Sequence, residues 1–162
     1  MGYWVMIRHR LIHLIEEHSD ELANELLSRA RESTHLTSFL SKVPPDELRQ
    51  RVYEIYRHLG QWLLRRTEAD IEEHYCAVGA RRCRQGVALS ELIWAILLTK
   101  ENLWAFLNRE SWPGFEVEVL AEHEMLRTID HFFNRAIYFA AIGFEQAAIA
   151  ERRASIGVAA SR

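Results

Sequence analysis

The sequence predicts an all-α protein, a helical bundle of about five main helices with a long C-terminal helix. Three observations predict it. Apolar residues recur at helical spacing along nearly the whole chain. Only three prolines and seven glycines interrupt 162 residues. The one alternating run, FEVEVL at 115–120, is too short and isolated to make a sheet.

The elements follow in order. Residues 1–10 are an apolar start, in which Trp4 and Ile7 continue the stripe of the first helix, expected to end near Ser33. Leu11, Leu14, Ile15, Leu22, Leu26 and Ala30 mark its buried face, and Glu16, Glu17, Asp20 and Glu21 the wet one. Ser19 and Asp20 can interrupt it briefly. Residues 33–43 read as a loop tucked onto the core by Leu36, Phe39 and Leu40. Pro44 and Pro45 suit a helix start, because a proline in the first turn loses no needed amide. The helix that follows runs to about Arg66, with Leu48, Val52, Ile55, Tyr56, Leu59, Trp62 and Leu63 in phase. Gly60 within it points to close packing, at a cost of about 1 kcal/mol against alanine.

The centre of the chain is residues 67–110. Thr67 is an N-cap with Asp70 three residues on, the spacing of a capping box, and Gly86 suits the left-handed end of the helix over 68–85. Ile71, Tyr75, Val78 and Arg82 share one stripe. Cys76, Gly79 and Cys83 form a strip of small residues that lets another helix approach closely. Glu73, Ala77, Arg81 and Arg84 read as the solvated face. Val87 to Leu89 is a connector, and Ser90 caps a helix over 91–109. That helix is apolar on several sides (Leu92, Ile93, Trp94, Ile96, Leu97, Leu98, Leu103, Trp104, Phe106, Leu107), which suits a central position. Ser111 to Gly114 is a turn. One long helical pattern then runs from Phe115 to about Arg153, with Leu126, Ile129, Phe133, Ala136, Ile137, Ala140, Phe144 and Ala147 as its main stripe. Phe132, Phe139 and Gly143 lie on a second side, the candidate interface of a homodimer. Residues 1–153 are expected to be one domain, with 154–162 a frayed tail.

Composition excludes several classes. The net charge of −3 and the lack of a basic block disfavour nucleic acid. No segment approaches the roughly 18 apolar residues that span a bilayer, and the start lacks the order of a signal peptide, so a cytoplasmic protein is expected. Cys76 and Cys83 are two turns apart on one helix, roughly 10 Å at 1.5 Å per residue. That is too far for an intramolecular disulfide, and a reducing compartment fits.

Three phrases carry a family resemblance: LRQRVYEIYRHLGQWLL at 48–64, ARRCRQGVALSELIWAILLTKENLWAFL at 80–107, and IDHFFNRAIYFAAIGFEQA at 129–147. They resemble the RsbRD-type N-terminal domain, a sensory domain of stressosome co-antagonist proteins that also occurs in bacterial sensor kinases. The resemblance covers nearly the whole chain. It implies an all-helical, non-enzymatic, often dimeric signal-input module that works through helix packing and a downstream or partner signalling domain. The chain ends at Arg162 without a phospho-acceptor or kinase domain, so an excised domain or a stand-alone protein is expected. The resemblance implies no cofactor.

Arg82 and Lys100 are cations on apolar arcs. Two readings stand: a pocket for a small anion between the central helices, walled by Tyr75 and Trp104, or structural ion pairs with Asp130 as a partner. Eight histidines include His9 and His13 four apart, but there is no His-Glu-x-x-His and no set of two Glu-x-x-His motifs of the kind di-iron bundles use, so no metal site is expected. No histidine stands out as a haem ligand, although a haem- or anion-binding sensor is the alternative to the interaction module. No Gly-x-Ser-x-Gly and no phosphate loop is present, so no enzyme is expected.

Overall fold

The computed structural model describes residues 2–110 and 116–159, with side chains for residues 6, 8–110 and 123–157. Eight α-helices and a 3-10 turn follow one another among the described residues, without a strand: α1 (Gly2–Glu17), α2 (Ser19–Glu32), the 3-10 turn (Thr34–Leu36), α3 (Thr37–Lys42), α4 (Pro45–Arg57), α5 (Leu59–Leu64), α6 (Glu68–Arg84), α7 (Leu89–Glu110) and α8 (Glu116–Ala159). The all-α class is as the sequence predicts. The turn expected at 111–114 and the side chains of Trp4 and Ile7 lie outside the described residues.

The expected helices are present, but two are divided. The first breaks at His18, whose Nδ1 lies 2.8 Å from the Leu14 carbonyl oxygen and whose ring packs on Phe106 at 5.4 Å. The second breaks at His58 (φ −116, ψ 20), where α4 ends and α5 begins. Gly60, at the start of α5, donates its amide to Glu16 at 3.0 Å, and a Cβ there would meet Ile12 at 2.8 Å. That is the close packing its sequence position suggests. Residues 33–43 are not a plain loop. They hold the 3-10 turn and α3, because Leu36 and Phe39 are buried and Glu91 accepts the Phe39 amide at 2.9 Å.

The helix starts follow local chemistry. Thr67 accepts the Asp70 amide at 3.3 Å and donates its own to Asp70 at 2.7 Å, a complete capping box. Gly86 takes φ 74 behind α6. Ser90 is not the cap of α7. The helix begins at Leu89, the Ala88 carbonyl accepts the Leu92 amide at 3.1 Å, and the Glu91 carboxylate accepts the Ala88 amide at 3.2 Å. Glu91 thereby serves the starts of both α3 and α7. α8 continues past Arg153 to Ala159.

α7 is the central helix, buried along Leu92, Ile96, Leu98, Leu103, Phe106 and Leu107. A polar knot crosses this core. Tyr56 donates its hydroxyl to the Thr99 carbonyl at 2.8 Å, and Asn102 donates to the Leu22 carbonyl at 2.9 Å and the Tyr56 hydroxyl at 3.3 Å. It fixes the register of α2, α4 and α7, since a buried polar group left without partners costs more than an apolar one.

α6 lies along α8 through small residues. A Cβ on Gly79 would run into the Ala140 carbonyl, and one on Gly143 would run into the Cys76 backbone. The two backbones interlock with no room between them. Cys76 and Cys83 are free thiols, partly exposed, and burial pushes both up from their ordinary pKa.

Candidate functional site

A half-open cavity of about 310 Å³ lies between α4, α5, α6 and α7. His58, at the break between α4 and α5, lines it. From α5, the Trp62 ring lies 4.8 Å from the His74 ring and 6.2 Å from that of Tyr75 on α6, and 5.9 Å from Phe132 of α8. Val52 and Ile55 come from α4, Val78 from α6 and Ile96 from α7, so the interior is largely apolar.

The wall carries more positive than negative charge. Arg51, Arg66, Arg81 and Arg82 line it, against the single carboxylate of Glu54. Arg82 is buried and satisfied within the protein: it donates to Glu47 and Gln85, each at 2.7 Å, and lies over the Phe39 ring at 5.6 Å. Burial pushes the Glu47 carboxyl up, but the Arg82 hydrogen bond and charge pull it further down, leaving it below its ordinary value. Arg51 lies 3.7 Å from Glu54. Arg66 sits over the Trp62 ring at 5.6 Å. Among the described residues neither Arg66 nor Arg81 has a carboxylate at ion-pair distance. Burial lowers the pKa of His74, and the charges of Arg51 and Arg81 lower it further. Both effects act against its charged form.

Tyr75 is buried on the same wall, and its hydroxyl has no hydrogen-bond partner. Burial pushes its ionisation well above the ordinary phenol range, so it stays a donor.

The sequence candidates divide accordingly. Arg82 and Tyr75 do line the cavity, but Lys100 and Trp104 do not. Lys100 is half-buried and bonds Asp130 at 3.0 Å, a hydrogen bond that holds the Asp130 carboxyl below its ordinary range. Asp130 is thus the partner of Lys100, while Arg82 uses Glu47, and no pocket joins the two cations. Phe132, Phe139 and Gly143 are a correction. The two phenylalanines are 2% and 6% exposed and Gly143 abuts Cys76, so α6 and its neighbours in the same chain cover that side of α8. Arg81 is a second correction, because it is half-buried on the cavity wall, not on the solvated face. Arg51, Arg66 and His74 were also missed. For Arg51 and His74 the signal was helical spacing: His74, Val78 and Arg81 follow one another at i, i+4 and i+7, as do Arg51, Ile55 and His58. Among the described residues no three metal-ligating side chains converge. Among them, too, no helix is long and apolar enough to cross a membrane.

Fold and cavity together define a class: an all-helical bundle with a half-open cavity between its central helices. A family model described as the RsbT co-antagonist protein rsbRD N-terminal domain matches residues 20–157. The chain belongs to that family of regulatory domains. No curated protein and no solved structure matches it.

Proposed function

We propose that this chain is a non-enzymatic bacterial signal-input domain, working in the cytoplasm, in which a change at the cavity is passed through α6 to α8. One observation carries the reading: α6 serves both. His74, Tyr75 and Val78 face the cavity, while Cys76 and Gly79 lock onto Gly143 and Ala140 of α8. A packed seam without slack transmits a displacement instead of absorbing it. α8 then delivers the change to a downstream or partner signalling domain. At 44 residues α8 is twice the length of the 22-residue α7, and residues 151–157 are exposed throughout.

The homodimer belongs to the same proposal, on a surface other than the one first expected. Tyr138, Ile149 and Ile156 are 56%, 48% and 69% exposed, and with the half-buried Ile142 they form one stripe on the side of α8 opposite Ala140 and Gly143. Glu145 and Arg152 flank that stripe on the same side. A second copy laid antiparallel sets Glu145 against the partner's Arg152, whereas a parallel copy offers no such pairing.

Hydrogen exchange tests the transmission. Val78→Trp fills the cavity from α6, and amide protection should change along residues 140–156 of α8. A change confined to α4–α7 would remove the proposed link. Light scattering tests the dimer: Ile149→Glu should give a monomer and Glu145→Arg a weakened dimer, rescued by adding Arg152→Glu. An unaltered dimer in Ile149→Glu would rule out this surface.

A further inference from the structure

The chemistry of the cavity wall narrows what the cavity can take. Its volume is about 310 Å³. A dry cavity of roughly 150 Å³ takes one benzene ring, so this one takes about two fused rings. The interior offers aliphatic side chains from three helices and the rings of Trp62 and His74. Flat rings fill such a slot with good offset contacts.

The charge on the wall is only partly paired from within. Arg82 is spoken for by Glu47 at 2.7 Å and Arg51 is near Glu54 at 3.7 Å. Arg66 and Arg81 have no carboxylate within ion-pair distance among the described residues, and Arg66 already lies on the face of Trp62 at 5.6 Å. Two guanidiniums beside an apolar slot suit one carboxylate on an apolar body.

We propose that the cavity between α4, α5, α6 and α7 binds a small aromatic carboxylate of one or two rings, with Arg66 and Arg81 holding the carboxylate and Trp62 and Val78 flanking the rings. The proposal deepens the signal-input reading by naming the class of signal, and rests on it only for the consequence of binding. Occupancy of the site can be measured without any output from α8.

The test is calorimetric titration of the full chain with 2-naphthoate, 2-naphthamide and octanoate. The expected result is saturable binding of 2-naphthoate at one site per chain, with Kd below about 1 mM. The neutral amide should bind at least about tenfold more weakly, since it forfeits charge-assisted bonds. Octanoate should also be weaker. Arg66→Gln and Arg81→Gln should each weaken naphthoate about tenfold, while Arg49→Gln, a cation that does not line the cavity, should leave it unchanged. Absence of saturable naphthoate binding overturns the site. Equal binding of amide and acid overturns the anionic part, and equal binding of octanoate overturns the aromatic part. The amide comparison needs no variant, so it holds even if a substitution disturbs folding. Tight naphthoate binding with no change in α8 exchange would keep the site and refute the transmission through α6, which separates the two proposals.

Discussion

Two sides of α6 are built on opposite terms. Towards α8 there is no spare space: Gly79 and Gly143 are the only side-chain size the seam admits, since a Cβ on either meets main-chain atoms of the other helix. Towards α4, α5 and α7 there is spare space, spare positive charge and a phenol without a partner. The first side is optimised for fixed geometry, and the second gives up some packing. A helix tight on one side and loose on the other moves with its tight neighbour when the loose side is filled. Binding sites are drawn from the less well packed parts of a fold for the same reason.

The contrast can be broken most severely at the seam. Gly79→Val or Gly143→Val should cost at least about 3 kcal/mol or abolish folding, because backbone cannot move aside as a flexible side chain can. Urea denaturation measures it. Loss of under about 1 kcal/mol would mean that the seam is not tight.

A smaller effect separates two buried phenols. Tyr56 donates to Thr99 at 2.8 Å and accepts from Asn102, so Tyr56→Phe should destabilise by about 1–2 kcal/mol. Tyr75 has no partner. Tyr75→Phe should be neutral or stabilising by up to about 1 kcal/mol, since it removes a buried donor that is unsatisfied. Equal losses in the two variants would indicate that the Tyr75 hydroxyl is satisfied in solution.

His74 sharpens the comparison further. Its ring faces Arg51 and Glu54 of α4, Arg66 beyond α5, and Arg81 on its own helix, and its folded pKa lies below the ordinary 6.5. As pH falls through 6.5 the unfolded chain takes up this proton first, so stability declines until the lower folded pKa is passed. One proton contributes at most about 1.4 kcal/mol per pH unit. Denaturation between pH 7 and pH 5 should be less steep with pH in His74→Gln than in the parent, and parallel curves would contradict the shift. Least of all, Lys100→Ala should cost under about 1 kcal/mol, because its bond to Asp130 is partly exposed. A larger thermal shift would give Lys100 a role that its ion pair does not explain.

Much of this was legible in the sequence. Helical spacing places the buried faces, Thr67 with Asp70 marks a helix start, and Gly86 marks an end. The Cys76–Gly79–Cys83 strip announces a close neighbour without saying which helix it is. The divisions at His18 and His58 were less legible, because the apolar phase carries on across both.

The sequence by itself determined the all-α class, the long last helix, the family and most of the core, because 3.6-residue periodicity and capping are local properties. Only the tertiary structure decided which charges meet. It gave Lys100 to Asp130 and Arg82 to Glu47, put Arg81 on a cavity wall, and turned Phe132, Phe139 and Gly143 inward onto their own chain. The physical reason is that a helix's second apolar side looks the same in sequence whether its neighbour is another subunit or another part of the same chain. Partners distant in sequence, such as Arg82 and Glu47, are chosen by how the helices cross, and no local pattern encodes that.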